Sequence, residues 1–372
     1  MKDKKIKGGN VMYYYQYELN KAGMILVRDL FKLKIGETFI VLADTGSDPH
    51  VVDATAGAAF TIGAKPLVIW LASPLGVGKL ADPMLPGKAL TAALKEADAS
   101  VHFNYQGLTY TTPLISAMRE NKKLRHLVAT GMNTKMMVRM IGRVDFLKLK
   151  EFMGKIREMT INAKHVHITT PSGGDIEFYN VKTKDGKPDP NYSVLCECGD
   201  ISFPGWHMLP GQIGWTPDLN TLNGKIVFDG SLQPPCGLLT DPIYLKIESG
   251  KISKIEGGKQ ATQFKNWLAS FNHPQMYVMA HATYGFNPGA VLSGDIDEDE
   301  RVWGCTEWGI GHIGSMLIKP DGIDAPSHCD GICLNSSVWL DGKLIMDKGK
   351  QVLPDLKKLE EALLAPFGNA LG

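Results

Sequence analysis

The chain changes rhythm near its middle. In the first third, ETFIVLADTG (37–46), KPLVIWLA (65–72), SVHFNY (100–105) and LRHLVATG (124–131) are apolar runs of strand length. Between them lie HVVDATAGAAFTIGA (50–64), GKALTAALKEA (87–97) and PLISAMRENKK (113–123), which predict helices. Alternation of this kind argues for a parallel sheet wrapped by helices, with ligands at the carboxyl ends of its strands. Past about residue 155 the pattern shortens. HVHITTPSGGDIEFYNV (165–181), NGKIVFDGSL (223–232), IYLKIESGKISKIEGG (243–258) and SVWLDGKLIMDKGK (337–350) alternate apolar with polar residues between Gly, Asp and Asn turns. That pattern predicts antiparallel hairpins, interrupted by helices at about 259–270 and 354–365.

The expected fold is therefore an α/β N-terminal domain with a mostly parallel sheet, plus an α+β C-terminal domain rich in antiparallel strands. The boundary falls inside the helical stretch VDFLKLKEFMGKIREM, dividing a Rossmann-like domain (1–150) from a second domain (151–372). A nucleotide fingerprint is missing from the first. DTGSDPH (44–50) lacks the dinucleotide glycine pattern, and GVGK (76–79) lacks the glycine spacing and the Ser/Thr of a phosphate loop.

Composition narrows the classes. A chain of 372 residues can bury two cores, and a formal net charge of +1 gives no general attraction to nucleic acid or to an anionic membrane. No apolar run approaches bilayer length, and the basic N-terminus has no apolar stretch behind it, so a cytoplasmic protein is expected. Cys196, Cys198, Cys236, Cys305, Cys329 and Cys333 are too sparse for a disulfide framework. Cys196-x-Cys198 is one residue short of the usual zinc loop, so reduced, mostly buried thiols are expected.

Four glycine-rich segments concentrate titratable residues: LPGQIGWTPD (209–218), AHATYGFNPGA (280–290), WGCTEWGIGHIG (303–314) and APSHCDG (325–331). Polar groups in small, apolar surroundings are costly to bury unless paired or ligating. His328 and Asp330 stand two apart on an extended stretch and so share a face. With His281 they make the two-histidine, one-carboxylate set that suits a non-haem Fe(II) site with open positions. Spacing alone leaves a second account standing: a satisfied core His281 and a separate His328–Asp330 hydrogen bond.

From about residue 160 to 350 the chain resembles the family that contains the M29 metallo-aminopeptidases and the 2,5-dihydroxypyridine 5,6-dioxygenases. The resemblance rests on TTPSGGDIEF, LPGQIGWTPDLNTLNGKIVFDGS, HATYGFNPGA, EDERVWGCTEWGIG and APSHCDGICLNSSVWLDGKLI. It implies that His328 and Asp330 match a His-x-Asp used by both branches. Where the peptidases have glutamates this chain has Gln212 and His281, and where they have a histidine it has Glu307. A dinuclear peptidase site needs anionic oxygens to neutralise two dications, and those exchanges remove them. The dioxygenase branch has a histidine matching His281, which implies a single iron held by His281, His328 and Asp330.

The resemblance thus implies a ring-cleaving dioxygenase taking a small aromatic or heterocyclic substrate and O2, and a homo-oligomer. The tyrosine-rich MYYYQY (12–17) is the candidate contact with a neighbouring copy. A competing reading keeps Zn, Mn or Co in the same ligands and hydrolyses amide, cyclic-amide or N-terminal peptide bonds. A third has no catalysis, only a metal-stabilised binding protein. Glu307 reads as an acid/base, as an acceptor for a ligand imidazole, or as a buried carboxylate paired with Arg301 or a backbone amide. His312 is a further catalytic candidate facing the same pocket. Gln212, His207, Tyr284 and Trp308 are the substrate-binding candidates, the last two by stacking on a flat ring. His165 and His167 share a strand face and read as solvent-facing.

Overall fold

The computed structural model describes residues 15–371; Met12–Tyr14 of the tyrosine-rich segment lie outside them. The first half builds the expected parallel sheet. Strand Thr38–Asp44 lies between Lys65–Leu71 and Ala99–His102, and Arg125–Val128 follows, every pairing parallel. Helices Pro49–Thr61, Gly87–Lys95 and Thr112–Glu120 make the crossovers. Local chemistry starts the first of these: the Asp48 carboxylate accepts from the His50 amide at 3.0 Å, and Pro49 sits in the first turn. Because helices cover both faces, Ile40, Val41 and Leu42 are all buried, in two cores on opposite sides of the sheet.

A fifth strand, Gly205–His207, arrives from the second half and pairs in parallel with Arg125–Val128. Three residues between prolines carry no periodicity, so the hydrophobic pattern predicts no strand there.

Among the described residues the second half forms two antiparallel sheets, one of eight strands and one of seven. Hairpin turns set their register. Ser249 and Gly250 (φ 47° and 71°), like Asp341 and Gly342 (49° and 78°), adopt the left-handed pair that matches the strand twist. The two sheets pack face to face. Phe178 of the larger meets Trp215 and Trp308 of the smaller, with ring centroids 6.2 and 5.9 Å apart. Helix Phe146–Asn162 closes the junction, Phe152 stacking on Trp303 at 5.1 Å. Buried hydrogen bonds tie the halves together: the Thr130 amide to Asp297 (2.8 Å) and the Asn287 side chain to the Met140 carbonyl (3.1 Å). No described helix is long and apolar enough to cross a membrane.

Candidate metal centre

Three neighbouring strands of the seven-stranded sheet, Met279–Gly285, Thr306–Ile313 and Ile323–Cys333, carry the titratable cluster. Their register places His281, Gly309 and Asp330 in one row across the sheet, with Thr283, Glu307 and Ile332 in the next. His328 stands opposite Gly311. Alternation turns this face away from the core between the sheets and toward the N-terminal half. The central strand supplies the floor. A Cβ on Gly309 would lie 2.3 Å from His281 Cε1, so the imidazole rests directly on the glycine backbone. Only glycine fits beneath that ring.

His281, His328 and Asp330 each bring one ligand atom within 4.8 Å of the others. The two rings stack at 5.1 Å. His328 Nδ1 donates to the His312 carbonyl at 2.7 Å, which leaves Nε2 as the inward atom, 2.8 Å from Asp330 Oδ1. A backbone carbonyl orienting the far nitrogen is the arrangement of a metal-ligating histidine. His281 Nε2 lies 3.5 Å from the same oxygen and 3.1 Å from Glu307 Oε1. Its Nδ1 is buried without a hydrogen-bond partner, while Glu307 shares hydrogen bonds with Asp330 and Thr283. A self-contained hydrogen-bonded core pair would not leave that nitrogen unpaired. The donor set, two imidazoles and one anion converging on a common space, fits a single cation.

Electrostatics treat the two rings differently: burial would lower His328, but the Asp330 charge and hydrogen bond outweigh it and raise that ring. Burial pushes His281 down to about 4, so it is the neutral imidazole a cation requires. Burial alone would raise Asp330; the His328 charge and hydrogen bond override it, with His281 adding to them, and hold the carboxyl at about 2. Glu307 is pushed well above the carboxylate range by burial and by the charges of Asp330 and Glu300. Asp330 is thus an anion beside a proton-bearing Glu307.

A cavity of about 160 Å³ opens over the cluster; an engineered cavity of roughly 150 Å³ admits benzene. Thr109, Tyr110 and Val128, beyond the carboxyl ends of the parallel strands, form its far wall, where an open α/β sheet places ligands. Thr283 also lines it, its hydroxyl beside Glu307. Gln212 lines it too, but its amide is engaged, donating to Glu300 (2.6 Å) and accepting from Arg301 (2.9 Å). Burial raises the Glu300 carboxyl to about 8.

Four expectations need correction. Tyr284 and Trp308 lie on the opposite face of their strands, inside the core, where Tyr284 packs on Trp215 (4.8 Å) and Trp308 on Phe178. They follow His281 and Glu307 by an odd number of residues, so alternation sends them away from the cavity. His207 is buried beside Phe203, its Nε2 on the Phe203 carbonyl at 2.9 Å, and does not line the cavity. His312 follows a bulge at Gly311 (φ 97°), which turns its ring to Tyr110 (4.9 Å) and Asp324 (3.3 Å); only its carbonyl reaches His328. Glu307 does not pair with Arg301, whose guanidinium bonds Glu300, Gln212 and the Leu209 and Asp297 carbonyls. Thr283 was legible, two residues from His281; Tyr110 was not, because only the packing of the halves brings it here. His165 and His167 hydrogen-bond Glu177 (3.2 Å) and Asp175 (2.7 Å) across their hairpin.

Known proteins share this arrangement of strands and helices. The family described as NicX, 2,5-dihydroxypyridine 5,6-dioxygenase, matches residues 26–353. A curated 2,5-dihydroxypyridine 5,6-dioxygenase of Pseudomonas putida KT2440 is 24% identical over 347 residues, covering 86% of this chain and 92% of that protein. The solved 2,5-dihydroxypyridine dioxygenase of P. putida KT2440 superposes with a TM-score of 0.74 at 21% identity, covering 92% of this chain and 99% of that one. Wild-type AmpT from Thermus thermophilus superposes with a TM-score of 0.66 at 14% identity, covering 91% and 100%. These superpositions show a shared fold.

Proposed function

Because the chain belongs to the 2,5-dihydroxypyridine 5,6-dioxygenase family, we propose that it is a mononuclear non-haem Fe(II) enzyme that opens a small hydroxylated N-heterocycle, such as 2,5-dihydroxypyridine, with O2. The observation that carries the reading is the glycine-floored row of His281, Gly309 and Asp330, with His328 beside it and a ring-sized cavity above. His281, His328 and Asp330 are the residues that would hold the iron. Fe(II) there would supply Lewis-acidic, redox-active chemistry for opening the ring with O2.

The chain's own groups do the rest. The Thr283 hydroxyl lines the cavity beside Glu307, within reach of a ring substituent. Burial and the charges of Asp330 and Glu300 raise the Tyr110 phenol, so it remains a donor on the far wall. Glu300, raised to about 8, carries a proton at neutral pH and holds or yields it at the cavity wall. Arg301 and Gln212 fix its orientation. Glu307 is a positioning residue, keeping its proton beside Asp330 and holding Oε1 3.1 Å from His281 Nε2.

Within this reading, residues 151–372 carry the metal-binding catalytic domain and residues 1–150 the domain that walls its cavity. A homo-oligomer belongs to the same proposal: edge strand Lys65–Leu71 exposes Leu67 and Trp70, and sedimentation of the pure protein tests it. So does a cytoplasmic location, which suits six free thiols. The test of the function is elemental analysis of protein purified without oxygen. One iron per chain is expected, lost in Asp330→Ala. Zinc or manganese with unchanged turnover under nitrogen would overturn it in favour of a hydrolase.

A further inference from the structure

Strand Val194–Glu197 and the bend after it carry two thiols that the metal chemistry does not use. Cys196 and Cys198 are free and partly buried against the core. Their thiols hydrogen-bond each other, while Glu197 between them lines the cavity. The Cys198 amide donates to the Cys196 carbonyl at 3.0 Å. That three-residue turn draws the two α-carbons closer than the roughly 6.6 Å that separates alternate residues on a strand. Bridged cysteines have α-carbons about 4.4–6.8 Å apart, so little backbone movement separates this pair from a disulfide.

The surroundings favour reaction. Helix Phe146–Asn162 lays two cations against the pair. Lys150 approaches Cys198 and is held by Asp200 at 2.8 Å; Arg157 approaches Cys196 and donates to the Val194 carbonyl at 2.8 Å. The Cys196 hydrogen bond outweighs burial and, with the Asp200 amide and Lys150, holds the Cys198 thiol down at about 6. The Cys196 thiol is pushed up by that hydrogen bond and by burial. Asp200 and Glu197 oppose these cations, yet a partly exposed, low-pKa thiol beside a resolving thiol remains the arrangement of redox-sensitive cysteines.

We propose that Cys196 and Cys198 form a peroxide-sensitive dithiol switch that displaces Glu197 from the wall of the cavity when it closes. The Cys198 thiolate attacks the O–O bond of hydrogen peroxide, becoming a sulfenic acid as one oxygen leaves as water. The Cys196 sulfur then displaces the sulfenic hydroxyl, which leaves as the second water. Two thiols lose two electrons and two protons, and one peroxide becomes two waters. Closing the bridge tightens the turn centred on Glu197. Glu197 pairs with Gln212 across the ladder, its carbonyl accepts from Gly211 at 2.7 Å, and Gln212 in turn holds Glu300. The bridge forms whatever reaction the metal centre runs; only the loss of turnover rests on the proposed function.

The test exposes the reduced, metal-loaded enzyme to one equivalent of hydrogen peroxide, then alkylates and maps peptides. The expected result is a 196–198 peptide lighter by two hydrogens, two alkylation sites lost, and both restored by dithiothreitol. Turnover falls roughly 10- to 100-fold, the scale of a small misplacement near the chemistry, and recovers with the thiols. Cys196→Ser and Cys198→Ser keep untreated turnover and lose the thiol-reversible part. Inactivation through the metal is common to all three proteins and subtracts out. Two thiols still alkylatable after treatment, or a mapped bridge with turnover unchanged, overturns the switch.

Discussion

On the parallel sheet, His126 and His102 are linked in a closed chain: Ser100 Oγ to His126 Nδ1 (2.6 Å), His126 Nε2 to His102 Nδ1 (3.0 Å), His102 Nε2 to Thr130 Oγ1 (3.3 Å). On the antiparallel sheet, His281 and His328 also stack as a buried pair, but His281 Nδ1 has no partner and His328 Nε2 faces a carboxylate. In both places burial holds an imidazole neutral, His102 at about 3 and His281 at about 4. The difference lies in what remains unspent. Two hydroxyls and the rings themselves satisfy every ring nitrogen of the first pair, with no acid bonded to it; that is a core motif. The second pair leaves one ring nitrogen unpaired over a glycine floor beside an anion, an arrangement that fits a cation. Buried histidines become a site through their unsatisfied atoms, not through their burial.

Substitutions break the two pairs differently. The largest effect is expected from Asp330→Ala or His328→Ala, which should reduce bound metal and turnover to background together, while the far-ultraviolet spectrum stays that of the wild type. Either variant retaining both would break the assignment. Gly309→Ala comes next: its methyl meets the His281 ring at 2.3 Å, so metal affinity and turnover should fall by about 10²-fold. Glu307→Gln keeps the shape and removes the acid; a loss of roughly 10- to 100-fold in metal affinity is expected, the usual weight of a group that orients a ligand. Ser100→Ala acts on the other pair. It leaves His126 Nδ1 buried and unpaired, so denaturant unfolding should show a loss of about 1–3 kcal/mol with turnover per folded molecule unchanged.

The smallest effect separates the pairs by pH. His102 and His281 have folded values below their ordinary 6.5. For these two groups the unfolded chain binds more protons below 6.5, so their contribution to stability falls as pH drops toward 4 and then 3, while His328, raised by Asp330, contributes with the opposite sign. Metal should protect the antiparallel pair alone, since protons and metal compete for His281 and His328. Thermal melts between pH 7 and pH 5 with and without metal should diverge more in the wild type than in His328→Ala.

Much of the fold and of the candidate metal centre is legible in the sequence, for identifiable reasons. Apolar runs flanked by helical spacing locate strands Thr38–Asp44, Lys65–Leu71, Ala99–His102 and Arg125–Val128 within a few residues. The His328–Asp330 spacing, read on an extended strand, puts both side chains on one face, and they lie 2.8 Å apart. The same rule applied to Tyr284 and Trp308 sends them to the core, since each lies an odd step from a cluster residue. His312 escapes it because a bulge at Gly311 breaks the alternation. Strand Gly205–His207 escapes because three residues hold no period. Tyr110 and Glu300 meet the cluster only through folding at long range, across 218 residues from Tyr110 to His328 in one case and 28 from Glu300 in the other, and no local pattern records that.

The metal centre is tested most directly by O2 consumption with 2,5-dihydroxypyridine, using protein reconstituted with Fe(II) under nitrogen. Uptake matching ring loss mole for mole, absent without iron and absent in Asp330→Ala, is the expected result. Ring loss that proceeds under nitrogen, or uptake that persists in Asp330→Ala, would contradict it.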